Sequence, residues 1–267
     1  MVAGRGVPPL GNTLLAIFST MLVAASVYLY NDLVDAPMDK LNKLKQDRPI
    51  ANGRVKKNSA LFLIILTGIG GLGISYLINF TTFLLLLSWF LLFFMYSTPS
   101  IRLKKMFIVK EIVTASGWPL TGLVGSYAIT NSFSVSAVFA GIIFGVFSFF
   151  ALPALSDTFD AYEDGLFDIK TLGRALNWSR KIQLLGFGLL FVMTITPLTY
   201  ARLGFSVILP IFVIAFSLIL LRVAIFPIMG AFDVAIAMRT RKLTYLFIIL
   251  TQIVVVISSM NLGWLPI

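Results

Sequence analysis

Apolar runs of roughly 20 residues, the length an α-helix needs to cross a bilayer, follow one another from near residue 11 to near residue 264. They are continuous rather than alternating, so helices are expected and not a transmembrane β-barrel, the backbone inside lipid satisfying itself within each helix. Helices are expected at about 11–36, 58–79, 81–97, 108–130, 133–156, 180–200, 204–226 and 243–264. Only 12% of the residues are charged, about half the share of a soluble domain. The expected fold is all-α, a polytopic transmembrane bundle of about eight helices in a single domain over 1–267.

The remaining charges are unevenly placed. Segments 37–57, 98–107, 157–179 and 227–242 are long and charged, whereas the connections near Asn79, Asn131 and Arg202 are short. All 11 acidic residues, and every Lys and Arg except Arg5, Arg202 and Arg222, fall on the charged side. These segments alternate with the short ones, so one membrane face receives them, and the Lys/Arg bias makes that face cytoplasmic. The net charge of +10 is thus topogenic, and no nucleic-acid partner is expected. Costly polar groups gather at this interface and not near the midplane, so the site is expected to open toward the cytoplasm. Met1 to Leu10 holds one Arg and no apolar core, and does not read as a cleaved signal peptide. Cysteine and histidine are both absent. Any metal must therefore be held by oxygen, which selects magnesium or a similar hard ion.

The chemistry concentrates where the first helix ends, in Tyr30-Asn31-Asp32-Leu33-Val34-Asp35-Ala36-Pro37-Met38-Asp39. At helical spacing Asn31, Asp35 and Asp39 share one face, Asp32 lies one turn before Asp35, and Pro37 is expected to bend or stop the helix before Asp39. The spacing Asp-x-x-Asp-Ala-x-x-Asp recurs at Asp157, Asp160, Ala161 and Asp164, closing the fifth helix 125 residues later. A duplicated four-helix unit, about 10–130 and 133–264, would produce this arrangement. One acidic cluster is explained by a solvated interfacial face; two of identical spacing on the same face are not. Two or three Mg²⁺ bridging carboxylates to phosphate oxygens would let such a site hold a diphosphate that the acids alone repel.

Cations flank both clusters. The first loop supplies Lys40, Lys43, Lys45, Arg48, Arg54, Lys56 and Lys57, and Lys170 and Arg174 follow the second cluster. Most of these serve topology. The end of the third helix, Tyr96-Ser97-Thr98-Pro99-Ser100-Ile101-Arg102-Leu103-Lys104-Lys105, is more specific: it delivers a phenol and cations together, suited to diphosphate oxygens and to charge building on a leaving group.

Asn31-Asp32-x-x-Asp35-x-x-x-Asp39 followed by Arg48-Pro49-Ile50 and Gly53 resembles the first signature of the UbiA superfamily of intramembrane prenyltransferases. Asp157-x-x-Asp160-x-x-x-Asp164 followed by Lys170-Thr171-Leu172 resembles its second, and Tyr96 to Lys104 is similar to its tyrosine-and-lysine segment. The resemblance covers all eight helices in order. It implies a helical fold around a central cavity that opens to the cytoplasmic face of the cell membrane. It also implies that Asn31, Asp32, Asp35, Asp39, Asp157, Asp160 and Asp164 hold Mg²⁺, while Arg48, Tyr96, Arg102, Lys104 and Lys170 bind the diphosphate of a polyprenyl donor. Asp35, Asp160, Lys104 and Tyr96 would then act in transfer to a lipophilic acceptor within the membrane lipids. The run from Asp39 to Pro49 resembles archaeal enzymes that add a geranylgeranyl group to geranylgeranylglyceryl phosphate, the favoured acceptor here. Tyr96 to Lys104 is also close to the matching segment of chlorophyll synthases, which leaves chlorophyllide-type acceptors and quinone precursors as alternatives. Two departures stand out. Family members usually carry a further helix before the first motif, so the resemblance implies a truncated start or an eight-helix variant. Asp168 stands where many relatives have glycine.

Two other classes compete. A CDP-alcohol phosphotransferase requires Asp-Gly-x-x-Ala-Arg, but Asp164-Gly165 is followed by Leu166-Phe167-Asp168. A transporter requires polar groups near the midplane, which these helices hardly offer. Release of inorganic diphosphate from a prenyl donor separates the three.

Overall fold

Each apolar run is helical in the computed structural model, which describes residues 1–155, 157–166, 169, 171–228 and 233–260, with only the backbone described at 161–164, 166 and 228. The first half contains α1 (Leu10–Asp39), α2 (Lys57–Ile78), α3 (Phe80–Ser97) and α4 (Val109–Thr130). The second contains α5 (Val135–Leu155), two short helices α6 (Asp157–Leu166) and α7 (Leu172–Ala175), then α8 (Trp178–Thr199), α9 (Ile208–Leu220) and α10 (Val234–Ser258). Among the described residues, seven helices are long and apolar enough to cross a membrane. Helix α4 is not one of them, since it carries Thr114, Ser116, Gly117, Pro119 and Thr121 along its length.

Small residues set the closest approaches. A Cβ on Gly71 of α2 would lie 2.7 Å from the Ser19 carbonyl oxygen of α1, and one on Gly141 of α5 would lie 2.6 Å from the Trp118 carbonyl oxygen of α4. Beside the first of these seams, Ser26 Oγ donates to the Ile64 carbonyl at 2.7 Å. Helices α5, α8, α9 and α10 bury a core around Phe147, Leu185, Leu189 and Phe247. A smaller cluster of Val23, Leu86 and Val124 joins α1, α3 and α4. Asn79 makes the tight turn between α2 and α3, its side-chain oxygen accepting from the Thr82 N–H at 2.7 Å.

Three elements differ from expectation. Helix α1 runs through Pro37 to Asp39 instead of stopping before it. Pro37 lies in the last turn, where its missing donor costs one bond of the ladder and the Lys40 N–H still reaches the Ala36 carbonyl at 3.3 Å. Residues 157–166, expected in a charged connection, form α6, which places Asp157 and Asp160 one turn apart on a helix. Helix α10 starts at Val234 and not near 243, with the Asp233 carboxylate accepting from the Ile236 N–H at 2.8 Å. Arg239, Arg241 and Lys242 lie in its first turns, and their charge conceals this amphipathic stretch from a reading based on apolar length.

Candidate active site

Helices α1, α3, α4, α5 and α10 surround a cavity of ≈ 810 Å³. Its two ends differ in character. One is charged, lined by Asn31, Asp35, Asp39, Lys104, Asp157 and Asp160; the other is lined by Trp89, Phe93, Trp118, Ile248 and Ile249. Tyr28 of α1 and Ile249 of α10 both line the cavity yet are 70% and 54% exposed, so the cavity is open at these helices.

Helical spacing on α1 delivers the first acidic set. Asn31, Asp35 and Asp39 project into the cavity from successive turns. Arg102, in left-handed backbone at φ 46°, opens the 3₁₀ turn Leu103–Lys105 that carries Lys104 into the cavity. Lys104 Nζ pairs with Asp35 Oδ2, and Arg102 Nη2 reaches Asp35 Oδ1 at 3.5 Å. Ser97 Oγ donates to Asn31 Oδ1 at 2.8 Å, which fixes that amide beside the same cluster. Burial holds the Lys104 ammonium below the ordinary lysine value of 10.5, with the nearby Asp35 opposing that shift.

The second set is built against the first. An Asx turn, in which Asn42 Oδ1 accepts from the Leu44 N–H at 2.8 Å, folds the loop after α1 back over the cavity. Lys45 there pairs with Asp160 Oδ2 at 2.7 Å, and Asn42 Nδ2 donates to Asp160 Oδ1 at 3.4 Å. Lys110 at the start of α4 pairs with Asp157 Oδ1 at 2.6 Å, while Asp157 Oδ2 is buried with no hydrogen-bond partner among the described residues. The two motifs therefore share one chamber, tied by the first loop.

Tyr96 also lines the chamber at its charged end. Asp32 and Arg48 do not: Arg48 Nη1 bridges Asp32 Oδ1 at 2.7 Å and Asp39 Oδ2 at 3.0 Å on the flank of α1. Lys170, Asp168 and the side chain of Asp164 lie outside the described residues.

Sequence reasoning did not single out Glu111, Lys181 or the aromatic end. Glu111 is fully buried, and its Oε1 accepts from the Leu172 N–H at 3.0 Å, pinning α7 behind the second motif. Lys181, also buried, donates to Thr158 Oγ1 at 3.0 Å. Both charges sit at helix starts, where they read as topogenic. Trp89, Phe93 and Tyr96 do follow a helical stripe along α3, a signal lost among many lipid-facing rings. Gly173 of α7 packs directly on the Cβ of Asp157. Gly173→Ala should therefore displace Asp157 and slow turnover about tenfold or more, with the helical circular dichroism unchanged; turnover equal to wild type would show that the Asp157 position is not critical.

The donor chemistry suits a hard divalent cation. Both motifs present oxygen-only side chains to one cavity, and one buried carboxylate oxygen of Asp157 has no hydrogen-bond partner among the described residues. Among the described residues no three acidic groups stand close enough to form a ready metal-binding cluster. Instead Asp32, Asp35, Asp39, Asp157 and Asp160 each face a Lys or Arg.

The chain is similar to digeranylgeranylglyceryl phosphate synthase of Saccharolobus solfataricus, 26% identical over 208 residues that cover 78% of this chain and 72% of that protein. It is 31% identical to the synthase of the same name from Thermococcus sibiricus over 128 residues, 48% of this chain and 44% of that one. A 4-hydroxybenzoate octaprenyltransferase of Pseudomonas entomophila is 36% identical over 81 residues, 30% of this chain and 26% of the relative. The chain thus spans less than half the length of some of its curated relatives. The fold matches a UbiA homolog from Archaeoglobus fulgidus solved bound to GPP and Mg²⁺, with a TM-score of 0.70, 18% identity, and coverage of 95% and 92% of the two chains. Residues 1–228 match the UbiA prenyltransferase family. This chain belongs to that family.

Proposed function

We propose that the protein transfers a prenyl group from an allylic prenyl diphosphate to a lipophilic acceptor in the membrane, releasing inorganic diphosphate. One observation carries this reading: a single cavity joins a chamber of paired carboxylates and cations to an aromatic, apolar end open on one flank. A diphosphate suits the first end and a prenyl chain the second. The Lys/Arg bias of the connecting segments supports a charged end at the cytoplasmic face of the cell membrane.

Asn31, Asp35, Asp39, Asp157 and Asp160 are the residues that would hold Mg²⁺, with Asp32 on the flank and Asp164 as a further donor. Bound there, Mg²⁺ would neutralise diphosphate charge and make the diphosphate a better leaving group. The chain's own groups do the rest. Lys104, Arg102 and Lys110 need only turn from their carboxylate partners to meet phosphate oxygens, and Tyr96 offers a hydroxyl donor at the same end. Arg48 holds the end of α1 rigid, and Lys170 is assigned to the diphosphate by the second motif. As the allylic C–O bond breaks, its electron pair leaves with the diphosphate, and Trp89, Phe93 and Trp118 shield the cationic carbon with ring faces, each worth about 0.5–2 kcal/mol. The acceptor oxygen or carbon attacks that carbon, and its proton departs to Asp35, Asp160 or the released diphosphate. No histidine is needed.

Geranylgeranylglyceryl phosphate is the acceptor favoured here. The archaeal synthase relatives support it, as does the surplus of cations around the cavity mouth. The octaprenyltransferase relatives favour a second reading, a quinone-precursor acceptor. The deciding experiment supplies geranylgeranyl diphosphate and Mg²⁺ in detergent or lipid, with geranylgeranylglyceryl phosphate, 4-hydroxybenzoate or chlorophyllide in parallel. Product with the phosphate lipid, lost on EDTA and in an Asp35→Ala/Asp160→Ala variant, is expected. Product with another acceptor alone would reassign the acceptor. A donor that is neither bound nor ionised would remove the prenyl-transfer reading.

A further inference from the structure

We propose that Arg241 is the anchor for the phosphate of the lipid acceptor, an anion site separate from the diphosphate chamber. The assignment rests on the prenyl-transfer reading above. Arg241 projects from the early, amphipathic part of α10, with its guanidinium carbon 5.4 Å from the ring centroid of Phe159 and 5.7 Å from that of Tyr245. Phe159 belongs to α6, between Asp157 and Asp160, and Tyr245 lines the cavity. The guanidinium thus sits at the rim where α10 meets the second acidic helix.

Its bonding is unlike that of the cations beside the two acidic motifs. Lys45, Arg48, Arg102, Lys104 and Lys110 each contact a motif carboxylate. Arg241 has no carboxylate partner and no hydrogen bond among the described residues; two ring faces hold it instead. These are cation–π contacts and not hydrogen bonds, so the N–H donors of the guanidinium remain available. A planar fork of donors, oriented by rings and always charged, matches the oxygens of a phosphate monoester. Arg239 and Lys242, its neighbours, are exposed, whereas Arg241 is drawn partly inward.

Position separates it from the donor. Lys104 lies on the turn that packs against α3 and α4, while α10 packs on α5 and α9. A lipid entering between α1 and α10, past Tyr28 and Ile249, would bring its chain into the apolar end with its phosphate near Arg241. A neutral acceptor gains nothing there, so Arg241 selects for an anionic headgroup.

The test measures binding to the full chain in neutral detergent, by titration calorimetry, for wild type, Arg241→Gln and Arg241→Lys. The probes are geranylgeranylglyceryl phosphate, the same lipid without phosphate, and geranylgeranyl diphosphate. Arg241→Gln should weaken the phosphate lipid about tenfold and leave the other two close to wild type, with Arg241→Lys in between. An unchanged phosphate lipid, or equal loss of the diphosphate, overturns the proposal. So does competition by phosphatidylglycerol as strong as that by the phosphate lipid, which would make Arg241 a general bilayer contact. If Arg241→Gln misfolds and binds nothing, Arg241→Lys decides: selective weakening of the phosphate lipid supports the anchor, and unaltered binding overturns it. Because binding needs no turnover, a wild type that binds all probes selectively but forms no product defeats the transfer reading alone.

Discussion

Asp35→Ala should slow diphosphate release from a prenyl donor by roughly 10²–10⁴-fold, the cost of removing one preorganised electrostatic partner from a water-poor site. The carboxylate lines the charged chamber, is 12% exposed, and faces two cations, Lys104 and Arg102. Two roles are therefore entangled in it. As a metal ligand it helps assemble the diphosphate site; as a counter-ion it keeps Lys104 from being a lone buried charge. The second role predicts a stability loss of about 3 kcal/mol when Asp35 is removed, read as a lower midpoint of thermal unfolding in detergent. The first predicts something that a counter-ion alone does not: the Mg²⁺ concentration for half-maximal activity should rise about tenfold or more. Asp47→Ala is the control, because Asp47 lies in the loop after α1 and does not line the chamber. Residual activity in Asp35→Ala with the wild-type Mg²⁺ requirement would reduce Asp35 to a partner of Lys104 and take it off the list of metal ligands.

What the sequence made legible was local. Helical periodicity put Asn31, Asp35 and Asp39 on one face, and the repeated spacing marked Asp157 and Asp160; the structure brings both sets into one chamber. The seven long apolar helices among the described residues follow from apolar length, because lipid leaves the backbone no other way to satisfy its polar groups. The misses come where a short-range rule met a competing one. Pro37 breaks helices in general, but in a last turn it removes too little to do so. Arg239, Arg241 and Lys242 look like a loop by hydropathy, yet Asp233 caps a helix that begins before them. Long-range ties were beyond reach. No spacing announces that Lys45 will cross to Asp160, that Arg48 will bridge Asp32 to Asp39 on an outer flank, or that Glu111 will hold Leu172. The aromatic end stayed hidden for another reason: Phe93 and Trp118 look the same in sequence as rings that face lipid, and only the packing of α3 against α4 turns them inward.

Lys104→Met should be nearly as damaging, and its pH behaviour identifies the group. The ammonium is buried, pairs with Asp35, and lies 3.5 Å from Asn31 Oδ1, so it is placed to turn toward a diphosphate oxygen without leaving the chamber. Replacing it with an isosteric apolar chain should cost about 10²–10³-fold in turnover. Lys104→Arg, which keeps the charge but not the compact shape, should recover part of that. Burial sets the sign of the pH effect. The folded-state value lies below the unfolded value of 10.5, so between the two the folded chain binds fewer protons than the unfolded one. In that window the penalty for burying the cation is relieved as pH rises, and the contribution of this group to stability increases. Affinity for an anionic diphosphate moves the other way, because the same deprotonation removes the positive charge. Metal-free protein titrated toward pH 10.5 should therefore show the Lys104 contribution to unfolding free energy rising while diphosphate binding weakens. Subtracting the Lys104→Met curves isolates both trends, since the variant has neither. If the difference curves are flat while the wild type still loses diphosphate, another cation makes the contact, and Lys104 serves only to neutralise Asp35.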